Sequence, residues 1–82
     1  SSFMVEMNAQ KALRQLNAPS DIEVEHSDIM TASPEMADLF ICGRDLAENA
    51  ERLGDVLVLD NILDKAELQQ KLSEKLQQLN MI

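Results

Sequence analysis

The chain has no tryptophan and no tyrosine, and Phe3 and Phe40 are its only aromatic residues. A core must therefore be built from Leu, Ile, Val, Ala and Met. Positive charge is also scarce: 7 Lys and Arg against 15 Asp and Glu leave a net charge of −8. A nucleic-acid binder needs a basic face to displace counterions, so that class is excluded. Docking on an anionic membrane surface is disfavoured for the same reason. The balance fits a soluble protein that meets a basic patch on a partner. Long apolar runs are missing: "LFIC" and "VLVL" are the longest, and neither approaches the length that spans a bilayer, so direct membrane insertion is not expected. A single cysteine, Cys42, excludes a disulfide within the chain and fits a reducing cytosol. A single histidine, His26, has no Cys/His cluster around it, so no metal site is expected. No secretory leader is recognisable in these residues, and the expected location is cytoplasmic.

Eighty-two residues suffice for one domain with a modest core. Ser2 to about Asn17 has helical period, with Val5, Ala9, Ala12, Leu13 and Leu16 on one stripe. Ser1 or Ser2 supplies its N-cap, and Asn17, Ala18 and Pro19 end it. In "DIEVEHS", Ile22 and Val24 alternate with Glu23 and Glu25, which predicts an edge strand with one wet face. "SPEMAD" predicts a short helical turn, with Ser33 as cap and Pro34 at the first position.

Leu39 to Cys42 are consecutively apolar, as in a strand covered on both faces. A helix follows, with Asp45 as N-cap, Glu48 three residues on, a buried stripe of Leu46, Ala50 and Leu53, and Gly54 as the stop. "DVLVLD" predicts a second buried strand. The closing helix repeats the capping spacing at Asp64 and Glu67, allows Leu63 to staple on Leu68, pairs Glu67 with Lys71, and buries Leu68, Leu72, Leu76 and Leu79. The leucine stripe spans barely two heptads, too few to sustain a coiled coil.

Alternating strands and helices predict an α/β fold, a small open parallel sheet with helices on both faces. The opening helix reads as the crossover from a first strand to Ile22–Ser27. In the common order 2-1-3-4 that first strand lies between the Ile22 and Leu39 strands. The expectation is that residues 1–82 form a single domain lacking its first strand and the loop behind it; a different strand order is the alternative. Such a loop is the usual phosphate cradle, because helix-start N–H groups and the helix dipole favour an anion.

"SSFMVEMNAQKAL", "ADLFICGRDLAE" and "LVLDNILDKAEL" together resemble the cytosolic IIB components of the bacterial phosphoenolpyruvate-dependent sugar phosphotransferase system, most of all the ascorbate type. The resemblance covers nearly the whole chain. It implies a phosphoryl carrier in which a loop Cys accepts phosphate from a phospho-His on a IIA protein and passes it to a sugar held in the membrane-embedded IIC permease. The Cys thiolate is the nucleophile, and loop N–H groups stabilise charge on the phosphoryl oxygens. It implies no cofactor, and a cytoplasmic protein that meets the membrane's inner face transiently through IIC. The matching Cys would precede Ser1, so no catalytic residue is expected within the chain, and Ser1 and Ser2 match the distal edge of the phosphate loop.

Cys42, at the carboxyl end of a predicted strand, is the substitute nucleophile to weigh; inert packing is the competing reading. It has no Gly-rich loop, and Arg44 does not complete a Cys-x5-Arg motif. Arg44 emerges where an anion would sit and is a candidate for phosphate or partner contact, or else a solvated turn residue. Phe3, Met4 and Met7 lie off the buried stripe. They are candidates for a partner-docking surface, unless a preceding strand or loop covers them. Without the phosphotransferase role, the same residues would serve a non-enzymatic acidic interaction domain.

Overall fold

The computed structural model describes residues 2–82. They fold into two compact units, one holding the chain up to His26 together with Leu63–Ile82, the other Ser27–Ile62.

The first unit is helical. Helix α1 spans Ser2–Gln15 and buries Ala9 and Ala12. Helix α3 spans Lys65–Gln78 and buries Leu68, Leu72 and Leu76. The two helices pack on each other. Each starts or stops on a local polar signal. Asp64 caps α3, accepting the Glu67 N–H on Oδ1 at 3.0 Å, as the capping spacing predicts. The Glu67 and Lys71 side chains pair at 2.8 Å across one turn. At the end of α1, Asn17 adopts φ 55°. This lets Ala18 N–H reach back to the Leu13 carbonyl at 3.0 Å and Asn17 N–H to Arg14 at 3.2 Å. These are the two bonds of a Schellman stop.

One expectation fails here. Leu79 is 48% exposed. It follows the last helical residue, and Asn80, at φ 59°, turns the chain before a fourth leucine can join the stripe. Leu63, placed by the sequence to staple on Leu68, is 51% exposed.

Ile22–Ser27 is not a strand. The segment has no regular structure, and the sheet contains two other strands. Its pattern survives: Ile22 and Val24 are half-buried while Glu23 and Glu25 are exposed. Alternation sets which side chains turn inward, but a strand also needs a partner for its backbone groups, and none pairs with it among the described residues.

The second unit carries the sheet. Strand β1, Phe40–Gly43, pairs in parallel with β2, Val56–Leu59, in the register Phe40↔Val56 to Gly43↔Leu59. The chain is thus α/β with an open parallel sheet, as expected. β1 begins one residue later than the apolar run suggests, and the strands are less covered than predicted: Phe40, Ile41 and Val56 to Val58 are half-buried, while Leu59 is fully buried. The core joins Ala32, Cys42, Ala50 and Leu53, with Ile29, Phe40, Val56 and Val58 against it.

The helix expected over Asp45–Leu53 is broken. A 3-10 turn at Arg44–Leu46 leads into α2, Ala47–Ala50, and a second 3-10 turn, Glu51–Leu53, ends it. The N-cap residue of α2 is Leu46, with no side-chain bond, so Asp45 does not cap. The tight first turn advances the helix start past Asp45 and leaves Leu46 at the surface, 37% exposed, while Ala50 and Leu53 are buried as predicted. Gly54 stops the segment at φ 107°, a conformation open mainly to glycine.

Pro34–Met36 forms the expected turn. The Ser33 hydroxyl donates to Glu35 Oε1 at 2.7 Å and makes no cap bond to the backbone. That hydrogen bond, helped by a backbone one, holds the Glu35 carboxyl below its ordinary pKa.

Candidate functional site

Ligands of open parallel sheets bind beyond the carboxyl ends of the strands. Here that edge is formed by Cys42 and Gly43 running into Arg44, and Leu59 running into Asp60. Because Gly43 is in register with Leu59, the next residues of the two strands, Arg44 and Asp60, come out side by side. Arg44 donates from Nε and Nη2 to one oxygen, Asp60 Oδ1, at 3.2 and 2.8 Å. Both side chains are largely in solvent. Gly43 leaves room for Asp45, whose Oδ1 lies 2.7 Å from the position a Gly43 Cβ would take.

Cys42 ends in the core of this unit. Burial raises its thiol pKa; the nearby Asp45 charge raises it further, and Arg44 opposes them. The thiol is therefore kept protonated, the opposite of what a nucleophile needs. The geometry favours the packing reading of Cys42.

The start of α1 gathers a second group. Phe3, Met4 and Met7 are all exposed, at 55%, 46% and 48%. Ser2 lies in the same first turn and is exposed; Ser1 lies outside the described residues. His26 returns to this place: its Nδ1–H donates to Glu6 Oε1 at 2.9 Å, and its ring meets Phe3 edge-on at 6.1 Å between centroids. A hollow of about 150 Å³ between α1 and α3 is lined by Asn8, Lys11, Ala12, Gln15, Lys65 and Gln69. Its polar lining is amide and lysine side chains, with no acid, thiol or imidazole among them.

The His26–Glu6 pairing joins residues 20 positions apart and has no signature in the local pattern. The Arg44–Asp60 pairing was within reach of the sequence. Aligning "FICG" with "VLVL" as parallel neighbours puts Arg44 opposite Asp60, a relationship visible only once the two runs are set in register. Among the described residues no group of three or more His, Cys, Asp or Glu side chains could hold a metal ion, and no helix is long and apolar enough to cross a membrane.

The chain matches the family model described as PTS system, lactose/cellobiose specific IIB subunit, over residues 1–74. No curated protein and no solved structure matches it significantly. The matched description is of a IIB subunit, as the sequence resemblance implies, but it names lactose and cellobiose. The ascorbate type is not supported.

Proposed function

We propose that this chain, which belongs to the lactose/cellobiose-specific IIB subunit family of the phosphotransferase system, carries phosphoryl groups during sugar uptake. The family match over residues 1–74 carries the reading. In the proposed cycle a phospho-His of a IIA protein donates to a Cys thiolate on a loop N-terminal to Ser1. The N–P bond breaks as an S–P bond forms, and the His nitrogen takes up a proton. A hydroxyl of a sugar held in IIC then attacks the phosphorus: an O–P bond forms as the S–P bond breaks, the hydroxyl proton is released, and the Cys leaves as the thiolate that began the cycle. Cys42 is set aside as nucleophile because its surroundings keep it protonated.

In this reading residues 1–82 are one IIB-like domain, and Ser1 and Ser2 form the distal edge of the phosphate loop. Phe3, Met4 and Met7 dock IIA and IIC, which suits Met, an adaptable side chain able to meet two partners. Arg44 supplies a positive contact on a surface whose net charge is −8. The domain works in the cytoplasm and reaches the membrane's inner face through IIC.

The test is sugar phosphorylation by IIC-containing membranes supplied with phosphoenolpyruvate, the general donors, IIA and the complete protein. Cellobiose and lactose are the first sugars to try. Sugar phosphate that depends on this protein supports the reading; the same yield without it defeats it.

A further inference from the structure

We propose that Arg44 and Asp60 form an exchangeable latch, in which Asp60 occupies the Arg44 guanidinium until a phosphoryl group at this edge of the sheet displaces it. The inference deepens the phosphoryl-carrier reading and rests on it.

Three observations converge. The pair is placed by the sheet itself: Arg44 and Asp60 directly follow the in-register residues Gly43 and Leu59, at the carboxyl edge where anionic ligands of such sheets bind. The contact is made in solvent, with the two side chains 63% and 73% exposed, so the ion pair itself is weak. Finally, Arg44 directs both Nε and Nη2 at the same oxygen, Asp60 Oδ1. A phosphoryl group, with three terminal oxygens and about twice the charge, uses the planar fork more fully than one carboxylate oxygen does.

The latch has a second consequence. With Asp45 beside Gly43 and Asp60 on Arg44, the edge carries two carboxylates against one guanidinium. An anion gains there only if Asp60 moves away, so Asp60 sets how tightly the edge holds phosphate.

The test is a titration of the complete protein with inorganic phosphate, followed by the NMR signal of the Arg44 Nε–H. Asp60→Asn keeps the shape and removes the charge. It should bind phosphate about threefold more tightly than the wild type, the scale of an exposed ion pair. Arg44→Gln, read by the backbone amide signals of Gly43 and Asp60, should lose the response to phosphate, and added salt should weaken binding in both wild type and D60N. Equal phosphate affinity in wild type and D60N, or an Arg44 signal that does not move, overturns the latch. Phosphoryl transfer from phospho-IIA is measured in parallel. Normal transfer without a response at Arg44 removes the latch and leaves the carrier reading standing; absent transfer removes the carrier reading itself.

Discussion

Asn17 and Asn80 end the two long helices in the same way. Each has a positive φ, 55° and 59°, and each sits between paired backbone bonds: Ala18 to Leu13 and Asn17 to Arg14 in one case, Met81 to Leu76 and Asn80 to Gln77 in the other. Asparagine tolerates the left-handed region better than other residues with a side chain, but glycine adopts it without penalty. Asn17→Gly and Asn80→Gly should each raise stability by up to about 0.5 kcal/mol, and Asn17→Val should lower it by about 1–2 kcal/mol. Urea unfolding midpoints at constant slope check this.

Arg52 ties two backbone carbonyls together. Its Nη1 donates to Ala32 at 2.7 Å and its Nη2 to Ile29 at 2.6 Å. Ala32 is buried, and its carbonyl loses a charged donor if the guanidinium goes. Arg52→Met should cost about 1.5–3 kcal/mol. Amide exchange should speed up first in residues 28–32, where Thr31 and Ala32 N–H both bond to the Asp28 carbonyl. Uniform acceleration across the chain would show that Arg52 has no local role.

The two glycines should respond differently. Gly54 needs its φ of 107° although nothing lies within 4 Å of a built Cβ; Gly54→Ala should cost about 1–3 kcal/mol from backbone strain alone. Gly43 has an extended backbone, and the atom nearest its built Cβ is the tip of the Asp45 side chain. An exposed carboxylate can swing aside, so Gly43→Ala should cost less than about 1 kcal/mol.

Cys42 should react slowly. Iodoacetamide at pH 8 should modify it at least about tenfold more slowly in the folded protein than in urea, because burial disfavours the thiolate. The folded state holds this proton more tightly than the unfolded state. The thiol's contribution to stability is therefore present at neutral pH and declines as pH rises above about 8.5 through the raised folded-state value. Removing the thiol with Cys42→Ala should abolish that part of the alkaline decline.

Met4 and Met7 test the proposed docking role of the start of α1. Both are about half exposed, so Met4→Ser with Met7→Ser should leave the unfolding midpoint nearly unchanged. In the complete protein the pair should raise the apparent KM for phospho-IIA by roughly tenfold, about 1.4 kcal/mol of lost contact. An unchanged KM would rule out a docking role for the two methionines.

What the sequence disclosed follows from how local each signal is. Asp64 capping, the Glu67–Lys71 pair and the stop at Asn17 are decided within five residues, and all appear as read. The parallel pairing of β1 and β2 was legible because two apolar runs bracketed a polar segment too long for a hairpin. Ile22–Ser27 misled because alternation reports burial, and the burial is indeed there, but among the described residues no strand pairs with it. Asp45 misled because the capping spacing presumes that an α-helix begins at once, whereas a 3-10 turn comes first. At the site, the exposure of Phe3, Met4 and Met7 was readable from helical period. The bond between His26 and Glu6 was not, because it depends on how the chain returns after Pro19.

The proposed carrier role places the phosphoryl group on a cysteine other than Cys42. It is tested most directly by phosphorylating the complete protein from phospho-IIA and locating the modified residue by mass spectrometry, in the wild type and in Cys42→Ser. The expected result is a phosphocysteine N-terminal to Ser1, at equal occupancy in both proteins. A phosphoryl group on Cys42, or no phosphocysteine in either protein, would contradict it.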